Sequence, residues 1–148
     1  MTAAGIDVCK ASLDLAVDGQ PGVVGFANNR AGIARLVKRL RALGTTRVVV
    51  EATGGYEEPL LEACCDAGLW IARVNPRQAR DFARATGELA KTDDIDARLL
   101  ALMARLFADR LRPYIAPPHW QRELRDWLRR RGQVVVLLQA QKQQAAMA

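Results

Sequence analysis

The feature that most restricts the fold is a run of three valines at positions 48–50. Consecutive β-branched residues favour an extended strand, and the absence of polar residues among them indicates that both faces of the strand are buried. Such a strand needs a layer of helices on each side of its sheet. The run therefore predicts an α/β protein with a central strand at residues 47–52.

The chain before this strand has a different pattern. Leu13, Leu15 and Val17 alternate with polar residues, as is typical of a strand with one buried face. Turn signals on both sides separate it from an earlier strand around residues 5–8 and from a later one at residues 23–27. We therefore predict that three consecutive antiparallel strands open the domain.

The rest of the domain alternates between helix and strand. Asn29 is a favoured helix cap and Gly44 a favoured terminator, and the apolar residues between them recur at helical spacing. The resulting order, βββαβαβα, is the layout of a ribonuclease-H-like domain, a mixed five-stranded sheet flanked by helices. The further predicted elements are helices at residues 56–67, 75–86 and 93–108 and a strand at residues 69–74.

A proline-rich joint at residues 113–118 separates this domain, residues 1–112, from a tail at residues 119–148. Apolar positions in the tail recur at alternating spacings of four and three, which predicts a long helix in a coiled coil. A single helix folded against its own domain is the open alternative. No glycine or capping residue ends this helix, so we expect the chain to be a truncated piece of a longer protein. The predicted seam is Trp120, Leu124, Trp127, Arg131, Val134, Leu138, Gln141 and Ala145.

Basic side chains outnumber acidic ones. The chain has 22 Lys and Arg residues against 16 Asp and Glu residues, which gives a formal charge of +6. This balance favours a polyanionic partner such as nucleic acid. No apolar run is long enough to span a bilayer and no secretory signal pattern opens the chain, so we expect a soluble, cytoplasmic protein without a membrane partner.

Scarce residue types exclude two common classes of site. Ser12 is the only serine and His119 the only histidine, which disfavours a Ser-His-Asp triad. Cys9 and the adjacent Cys64 and Cys65 fit neither a disulfide framework nor a zinc site. We expect all three cysteines to be reduced and mostly buried.

Two acidic residues lie inside strongly apolar strand segments. Asp7 follows Ile6, and Glu51 follows the valine run. A lone carboxylate buried in such a strand is costly. In the predicted sheet these two strands are neighbours, so the carboxylates lie near one another. They would repel and hold a proton at neutral pH unless a divalent cation binds between them.

A second pair of acids, Asp93 and Asp96, lies at the predicted start of the fourth helix. A spacing of three places both side chains on one helix face, within reach of a common ion. Aspartate is also a favoured helix cap, so capping is the alternative explanation for this pair. Asp94, between them, should point elsewhere.

Together the two pairs predict a metal site. With no Cys or His nearby, an all-oxygen ligand set suits Mg²⁺ or Mn²⁺. Two such ions can activate the attacking oxygen and stabilise the leaving one in phosphodiester cleavage or transfer. We therefore predict Asp7, Glu51, Asp93 and Asp96 as catalytic metal ligands.

Five basic residues are candidates for contact with nucleic-acid phosphates. Arg77, Arg80 and Arg84 share one face of the predicted third helix, and Lys91 and Arg98 flank the second acidic pair. From spacing alone, a solvated helix face explains the three arginines about as well.

Four segments together resemble one family. They are Gly5-Ile6-Asp7-Val8, Val50-Glu51-Ala52-Thr53-Gly54-Gly55-Tyr56, Val74-Asn75-Pro76 and Lys91-Thr92-Asp93-Asp94-Ile95-Asp96-Ala97. In these segments the chain resembles the DEDD transposases of insertion sequences related to the pilin-gene-inverting recombinases. The resemblance implies the fold of Holliday-junction resolvases, Asp7, Glu51, Asp93 and Asp96 as the four acids, and Mg²⁺ as the ion.

The resemblance also implies partners. These are DNA, a second copy of the chain joined through the tail helix and, since some members are guided by a structured RNA, a guide RNA. Members carry a further C-terminal domain with a nucleophilic serine, which Ser12 does not match. We therefore expect this chain alone not to complete recombination.

Two other functions are compatible with the residues. One is a non-catalytic module that binds nucleic acid and dimerises, with the acids in structural roles. The other is a lobe of an actin-like or sugar-kinase ATPase, which also begins with a Gly-Ile-Asp strand. That superfamily needs Gly and Ser or Thr directly after the aspartate, where this chain has Val8, Cys9 and Lys10.

Overall fold

A computed structural model of the protein describes residues 1–87 and 96–147. The chain divides into two compact units, Met1–Ile115 and Ala116–Ala148. The first unit is built on a sheet covered by helices, and the second contains one long helix. None of the helices in the two described ranges combines the length and the hydropathy that a bilayer span requires.

Five strands form the sheet: β1 (Thr2–Val8), β2 (Ser12–Val17), β3 (Val24–Ala27), β4 (Thr45–Glu51) and β5 (Ile71–Val74). They lie in the order β3-β2-β1-β4-β5. The first three strands pair antiparallel, whereas β4 is parallel to β1 and β5 is parallel to β4. The predicted mixed sheet, with three opening antiparallel strands and a central strand after them, is confirmed.

Helices cover both faces of this sheet: α1 (Arg30–Ala42), α2 (Glu58–Asp66), α3 (Pro76–Thr86) and α4 (Ala97–Phe107). On one face, leucines of α1 and α2 share a core with Val48 and Val50. On the other face, α3 and α4 share a core with Val49. The valine run is therefore buried on both sides, as its composition predicts.

The direction of side chains along β1 and β4 decides where their acids lie. Ala3 and Val49 are buried beneath α3 and α4, whereas Ile6 is buried beneath α1 and α2. Successive side chains of a strand point to opposite faces. Asp7 and Glu51 therefore lie on the face that α3 and α4 cover.

Gly5 allows α4 to lie directly against β1. A Cβ atom at this position would overlap the backbone of Ala97 and Ala101. The first turn of α4 therefore sits beside Gly5, two residues before Asp7 on the same strand face. Met103 and Ala104, later in α4, share a core cluster with Ala3. The N-terminal end of α4 thus points toward the end of β1 that carries Asp7.

Predicted capping residues set the bounds of two helices. The Asn29 side chain caps α1 by accepting a hydrogen bond from the Gly32 N–H at 2.9 Å. Gly44 follows α1 with a left-handed φ of 60°. Asn75 and Gln78 form a reciprocal capping box at the start of α3.

Three elements begin two or more residues later than predicted. α2 begins at Glu58 and not at residue 56, because a turn follows β4, and β5 begins at Ile71 and not at residue 69. α4 begins at Ala97. Asp96 precedes it with extended backbone, φ −105° and ψ 171°, so it is the cap of α4 and not a residue of its first turn. The predicted start at Asp93 lies outside the described residues.

Tyr114 attaches the chain after α4 to the edge of the sheet. Its backbone N–H donates to the Ile71 carbonyl of β5 at 2.7 Å, and its hydroxyl donates to Glu58 at 3.0 Å. Burial and the nearby Glu58 raise the pKa of the Tyr114 hydroxyl to about 12. Because β5 is the last strand in the order of the sheet, the backbone bond to Ile71 lies at the outer edge of the sheet.

The cysteines are free, as expected. Cys64 is buried, and burial raises the pKa of its thiol to about 12, so it stays an unreactive thiol. Cys65 is half-buried, but Cys9 is exposed, which corrects the expectation for that residue. Cys9 directly follows β1, where the chain leaves the sheet at its surface.

The second unit contains α5 (His119–Met147). Many of its apolar side chains, including Trp120, Trp127 and Leu138, are exposed. The long tail helix is confirmed. Its pairing with another helix in a coiled coil stays a prediction.

Candidate active site

Asp7 and Glu51 lie next to each other near the ends of two parallel strands. β1 and β4 pair Ile6 with Val50, so Asp7 and Glu51 are the next residues along each strand. Both side chains are half-buried and lie on the face of α3 and α4. The structure thus brings together the two strand acids that the sequence singles out.

The charge of Asp7 acts on Glu51. Burial raises the pKa of the Glu51 carboxyl above its ordinary value of 4.5, the charge of Asp7 raises it further, and Arg80 of α3 lowers it. Ionisation of Glu51 therefore costs more free energy in the folded protein than it does in water. A cation beside the pair would offset both the desolvation and the repulsion.

Asp14 is an acid at this place that sequence reasoning missed. It pairs directly with Asp7 across the antiparallel β1–β2 ladder. Directly opposed residues of such a ladder project to the same face, so both carboxylates lie on the α4 side. The alternation of Asp14 with the apolar Leu13 and Leu15 was a signal for its face. The sequence does not show that Asp14 pairs directly with Asp7, because this depends on the register of the two strands.

Asp96 acts as a helix cap in the described structure. Its Oδ1 accepts a hydrogen bond from the Leu99 N–H at 2.9 Å, and its Oδ2 lies 3.9 Å from Arg98 Nη1. The side chain is exposed at the N-terminal end of α4. One carboxylate oxygen of Asp96 therefore caps α4, which is the alternative role that the sequence left open. Asp93 and Lys91 lie outside the described residues.

Two of the four predicted acids are adjacent, but a complete ligand set is not assembled in the described part of the chain. Within residues 1–87 and 96–147, no three Asp, Glu, His or Cys side chains lie close enough together to hold a metal ion. The donors of Asp7 and Glu51 are carboxylate oxygens, which suit Mg²⁺ and Mn²⁺. The pair therefore fits one side of a site for a hard divalent cation.

A buried carboxylate shapes the loop that follows Glu51. The Glu57 side chain is 3% exposed. Its Oε2 accepts hydrogen bonds from the Thr53 and Gly55 N–H groups, each at 3.0 Å. Arg73 lies 3.5 Å from its Oε1. Sequence reasoning missed Glu57, because nothing in the local pattern marks a glutamate at a helix start as buried.

The predicted phosphate contacts occupy different environments. Arg77, Arg80 and Arg84 are exposed on α3, opposite the buried residues of that helix. Arg77 and Arg84 each lie near Asp81, at 3.9 and 3.4 Å. Arg80 acts electrostatically on Glu51. Of these three arginines, Arg80 is therefore the one whose charge acts on the pair Asp7 and Glu51.

Comparison with known families agrees with these features. The model of a family described as a transposase, the DEDD transposases of IS110 type, matches residues 4–147. The chain belongs to the DEDD transposase family. This transposase assignment sets aside the alternative of an actin-like or sugar-kinase ATPase lobe.

Two curated proteins are related to this transposase chain. It is 34% identical over 80 residues to the pilin gene-inverting proteins of Moraxella lacunata and Moraxella bovis. Each alignment covers 51% of this chain and 25% of the relative. The chain thus spans about a quarter of the length of these relatives.

Solved structures share the fold of the transposase chain. Thermus thermophilus RuvC in complex with a Holliday junction substrate matches with a TM-score of 0.58 at 18% identity, and a second structure of RuvC matches with 0.54 at 19%. Both matches cover 77% of this chain, and they cover 99% and 100% of the RuvC chains. The predicted ribonuclease-H-like, resolvase-type fold is confirmed.

Proposed function

We propose that this chain is the catalytic domain of a transposase-type DNA recombinase, which cleaves and transfers DNA phosphodiester bonds with the help of divalent cations. The observation that carries the proposal is the adjacency of Asp7 and Glu51 on neighbouring parallel strands. Two half-buried carboxylates side by side repel each other and destabilise a fold, unless a cation or a proton offsets their negative charge. Membership of the transposase family supports DNA cleavage and joining as the class of reaction.

Four acids are proposed to hold the ions. Asp7 and Glu51 approach from the sheet, and Asp96 approaches from the N-terminal end of α4, which points toward the Asp7 end of β1. The partial positive charge of that helix end favours ionised carboxylates nearby. Asp93 is the fourth proposed ligand, three residues before Asp96 in the sequence.

The chemistry needs these carboxylates in their ionised form. When bound, two Mg²⁺ or Mn²⁺ ions would activate an attacking oxygen and stabilise the leaving oxygen of the DNA backbone. The protein's part is to hold Asp7 and Glu51 side by side, so that a cation would offset the burial and the repulsion that raise the pKa of Glu51. Arg80 would then offset phosphate charge beside the pair.

DNA is the proposed substrate. The chain has a net charge of +6, and the exposed arginines of α3 lie on the face of the sheet that carries the acids. The RuvC chain that shares the fold is described with a Holliday junction substrate, so branched DNA is the first substrate to test. The proposed phosphate contacts are Arg77, Arg80, Arg84, Lys91 and Arg98.

Two further partners are proposed. The exposed apolar side chains of α5 support the pairing of two copies of the chain through this helix. The second proposed partner is a structured guide RNA. This proposal rests on the resemblance of the sequence to the family.

A metal titration tests the proposed site. Calorimetric titration of Mn²⁺ should give binding to the wild type, loss of binding in Asp7→Ala and unchanged binding in Asp109→Asn. Asp109 is the control, because it is an exposed acid outside the proposed site. It pairs with Arg47, which lies on β4 four residues before Glu51. If the wild type and Asp7→Ala bind Mn²⁺ alike, the proposed site is wrong.

A second experiment tests the assignment of Asp96. With Mg²⁺ and branched or single-stranded DNA, we expect Asp94→Ala to keep any cleavage and Asp96→Ala to abolish it. Both variants remove one carboxylate from the same short segment, so they match in charge. Equal activity of the two would contradict the assignment of Asp96 as a metal ligand.

One observation favours a second candidate function, a non-catalytic module that binds nucleic acid and dimerises. Asp96 already caps α4, and the described residues assemble no group of three possible metal ligands. On this alternative Asp7 and Glu51 bind no ion. Absence of Mn²⁺ binding to the wild type, together with retained binding of branched DNA, would favour the module over the enzyme.

A further inference from the structure

The parallel ladder between the two acid-bearing strands ends just before the acids. The parallel ladder joins β1 and β4 up to Ile6 and Val50, so Asp7 and Glu51 extend beyond its last pair. Beyond that point Asp7 pairs with Asp14 of β2, and Glu51 pairs with Val74 of β5. Each acid is thus paired with its outer neighbour strand, and a link between the two strand ends would help to fix the spacing of the acids.

One side-chain amide supplies such a link. Asn28, directly after β3, donates from its Nδ2 to the Cys9 carbonyl at 2.8 Å and to the Tyr56 carbonyl at 3.1 Å. Cys9 is two residues after Asp7, and Tyr56 is five residues after Glu51. One NH₂ group therefore bridges the two loops through which the chain leaves β1 and β4.

Both bridged loops are internally fixed, so the bridge can transmit position. In the first loop the Cys9 N–H donates to Ser12 at 2.9 Å, and the Asn28 N–H donates to Ala11 at 2.9 Å. In the second, Glu57 holds the backbone N–H groups of Thr53 and Gly55.

The second loop is also linked back to the acid. The Thr53 hydroxyl donates to the Glu51 carbonyl at 3.1 Å. A shift of Tyr56 would therefore be felt through this loop at Glu51.

We propose that Asn28 is a positioning residue, whose amide clamps the ends of β1 and β4 at the spacing that lets Asp7 and Glu51 share a divalent cation. This inference rests on the proposed metal site. Some residues do not contact a metal ion themselves but hold its ligands in place. Replacing such a residue typically weakens metal binding by about 10–100-fold. Asn28 acts through its two N–H donors and does not contact the ion.

The neighbouring residue offers a matched control. Asn29 uses its Oδ1 as an acceptor, from the Gly32 N–H, to cap α1. Aspartate keeps an acceptor oxygen but has no N–H donor. Asn28→Asp therefore breaks both bonds of the clamp, whereas Asn29→Asp preserves the cap and makes the same change in charge one residue away.

The test uses the whole chain and two measurements, Mn²⁺ titration by calorimetry and hydrogen exchange of backbone amides. We expect Asn28→Asp to bind Mn²⁺ at least about tenfold more weakly than the wild type. The Cys9 and Tyr56 amides should exchange faster in this variant, and Asn29→Asp should match the wild type in both measurements. Because a negative charge against two carbonyl oxygens can prevent folding, Asn28→Ala is measured in the same way and decides the outcome if Asn28→Asp does not fold.

Several results would overturn the clamp. These are wild-type Mn²⁺ affinity in a folded Asn28 variant, equal losses in the Asn28 and Asn29 variants, or unchanged exchange of the Cys9 and Tyr56 amides. If the wild type binds no Mn²⁺, the proposed function fails separately. Amide exchange alone then decides whether Asn28 ties the two strand ends.

Discussion

Glu51 carries its charge in an environment that opposes it. Burial and Asp7 raise its pKa above 4.5, and Arg80 acts in the other direction. The folded protein therefore binds this proton more tightly than the unfolded chain does. The resulting stabilisation is fully present below about pH 4.5 and is lost as the pH rises through the folded-state pKa.

We predict that Glu51→Gln stabilises the metal-free protein at pH 7 and leaves its stability nearly unchanged at pH 4. Glutamine keeps the size of the side chain but cannot ionise, so it removes both the desolvation of the charge and the repulsion by Asp7. Urea unfolding with a chelator at the two pH values measures the difference. Asp126→Asn, which also removes one carboxylate at an exposed position of α5, is the control. A loss of stability at pH 7 in Glu51→Gln would contradict this account.

Glu57 should matter more for stability than its position in a loop indicates. Its carboxylate satisfies two backbone N–H groups, and its side chain is 3% exposed. We predict that Glu57→Ala costs about 2–4 kcal/mol, because two donors lose their partner in a half-buried loop. Glu57→Gln, which retains one acceptor oxygen, should cost less. Chemical denaturation with comparison of midpoints and slopes measures both, and equal stability of Glu57→Ala and the wild type would refute the role.

At the scale of elements, the contact of α4 with β1 decides the geometry of the site. This contact is a backbone approach that Gly5 permits, and it puts the cap of α4 on the same side of the sheet as Asp7. A helix displaced from this strand would carry Asp96 away with it. The fold therefore couples the packing of one helix to the proposed ligand set.

We predict that Gly5→Ala destabilises the protein by about 3 kcal/mol or more, since the added methyl group meets helix backbone that cannot yield without moving α4. Gly25→Ala is the control, because a Cβ atom there meets only the Asp14 side chain, at 3.4 Å. That variant should stay within about 1 kcal/mol of the wild type. Thermal and urea unfolding of both variants test the contrast, which fails if they are equally stable.

Elements were predictable where local signals decide them. The valine run, the alternation in β2 and the Asn29 cap each depend on neighbours in sequence, and all three match the structure. The start of α4 was misjudged because Asp96 is a cap and not a helical residue. Asp14 and Asn28 escaped notice, because their importance depends on a strand register and on loops that meet only in three dimensions.

At the scale of the whole molecule, the two units differ in how they bury apolar surface. The unit Met1–Ile115 contains the buried core, whereas no residue of α5 is buried. A helix with exposed tryptophans and leucines needs a partner to cover them. The first unit, in contrast, has what a domain needs to fold without the second.

We predict that a shortened chain ending at Ile115 unfolds cooperatively, within a few degrees of the midpoint of the full chain, and is a monomer. If the proposed coiled coil pairs the apolar residues of α5 between two copies, the full chain should sediment as a dimer at micromolar concentration. Analytical ultracentrifugation and thermal unfolding make the comparison. A monomeric full chain would contradict the proposed coiled coil, and an unfolded short chain would contradict the independence of the first unit.

The bond between Tyr114 and Ile71 determines how tolerant the domain is of losing its tail. Exposed strand edges recruit other strands and seed insoluble assemblies. A protease that cuts after Ile115 leaves this bond in place, whereas a cut a few residues earlier removes it from the outer side of β5. The border between a harmless degradation product and an aggregation-prone one therefore falls at a single tyrosine, far in sequence from both strand acids.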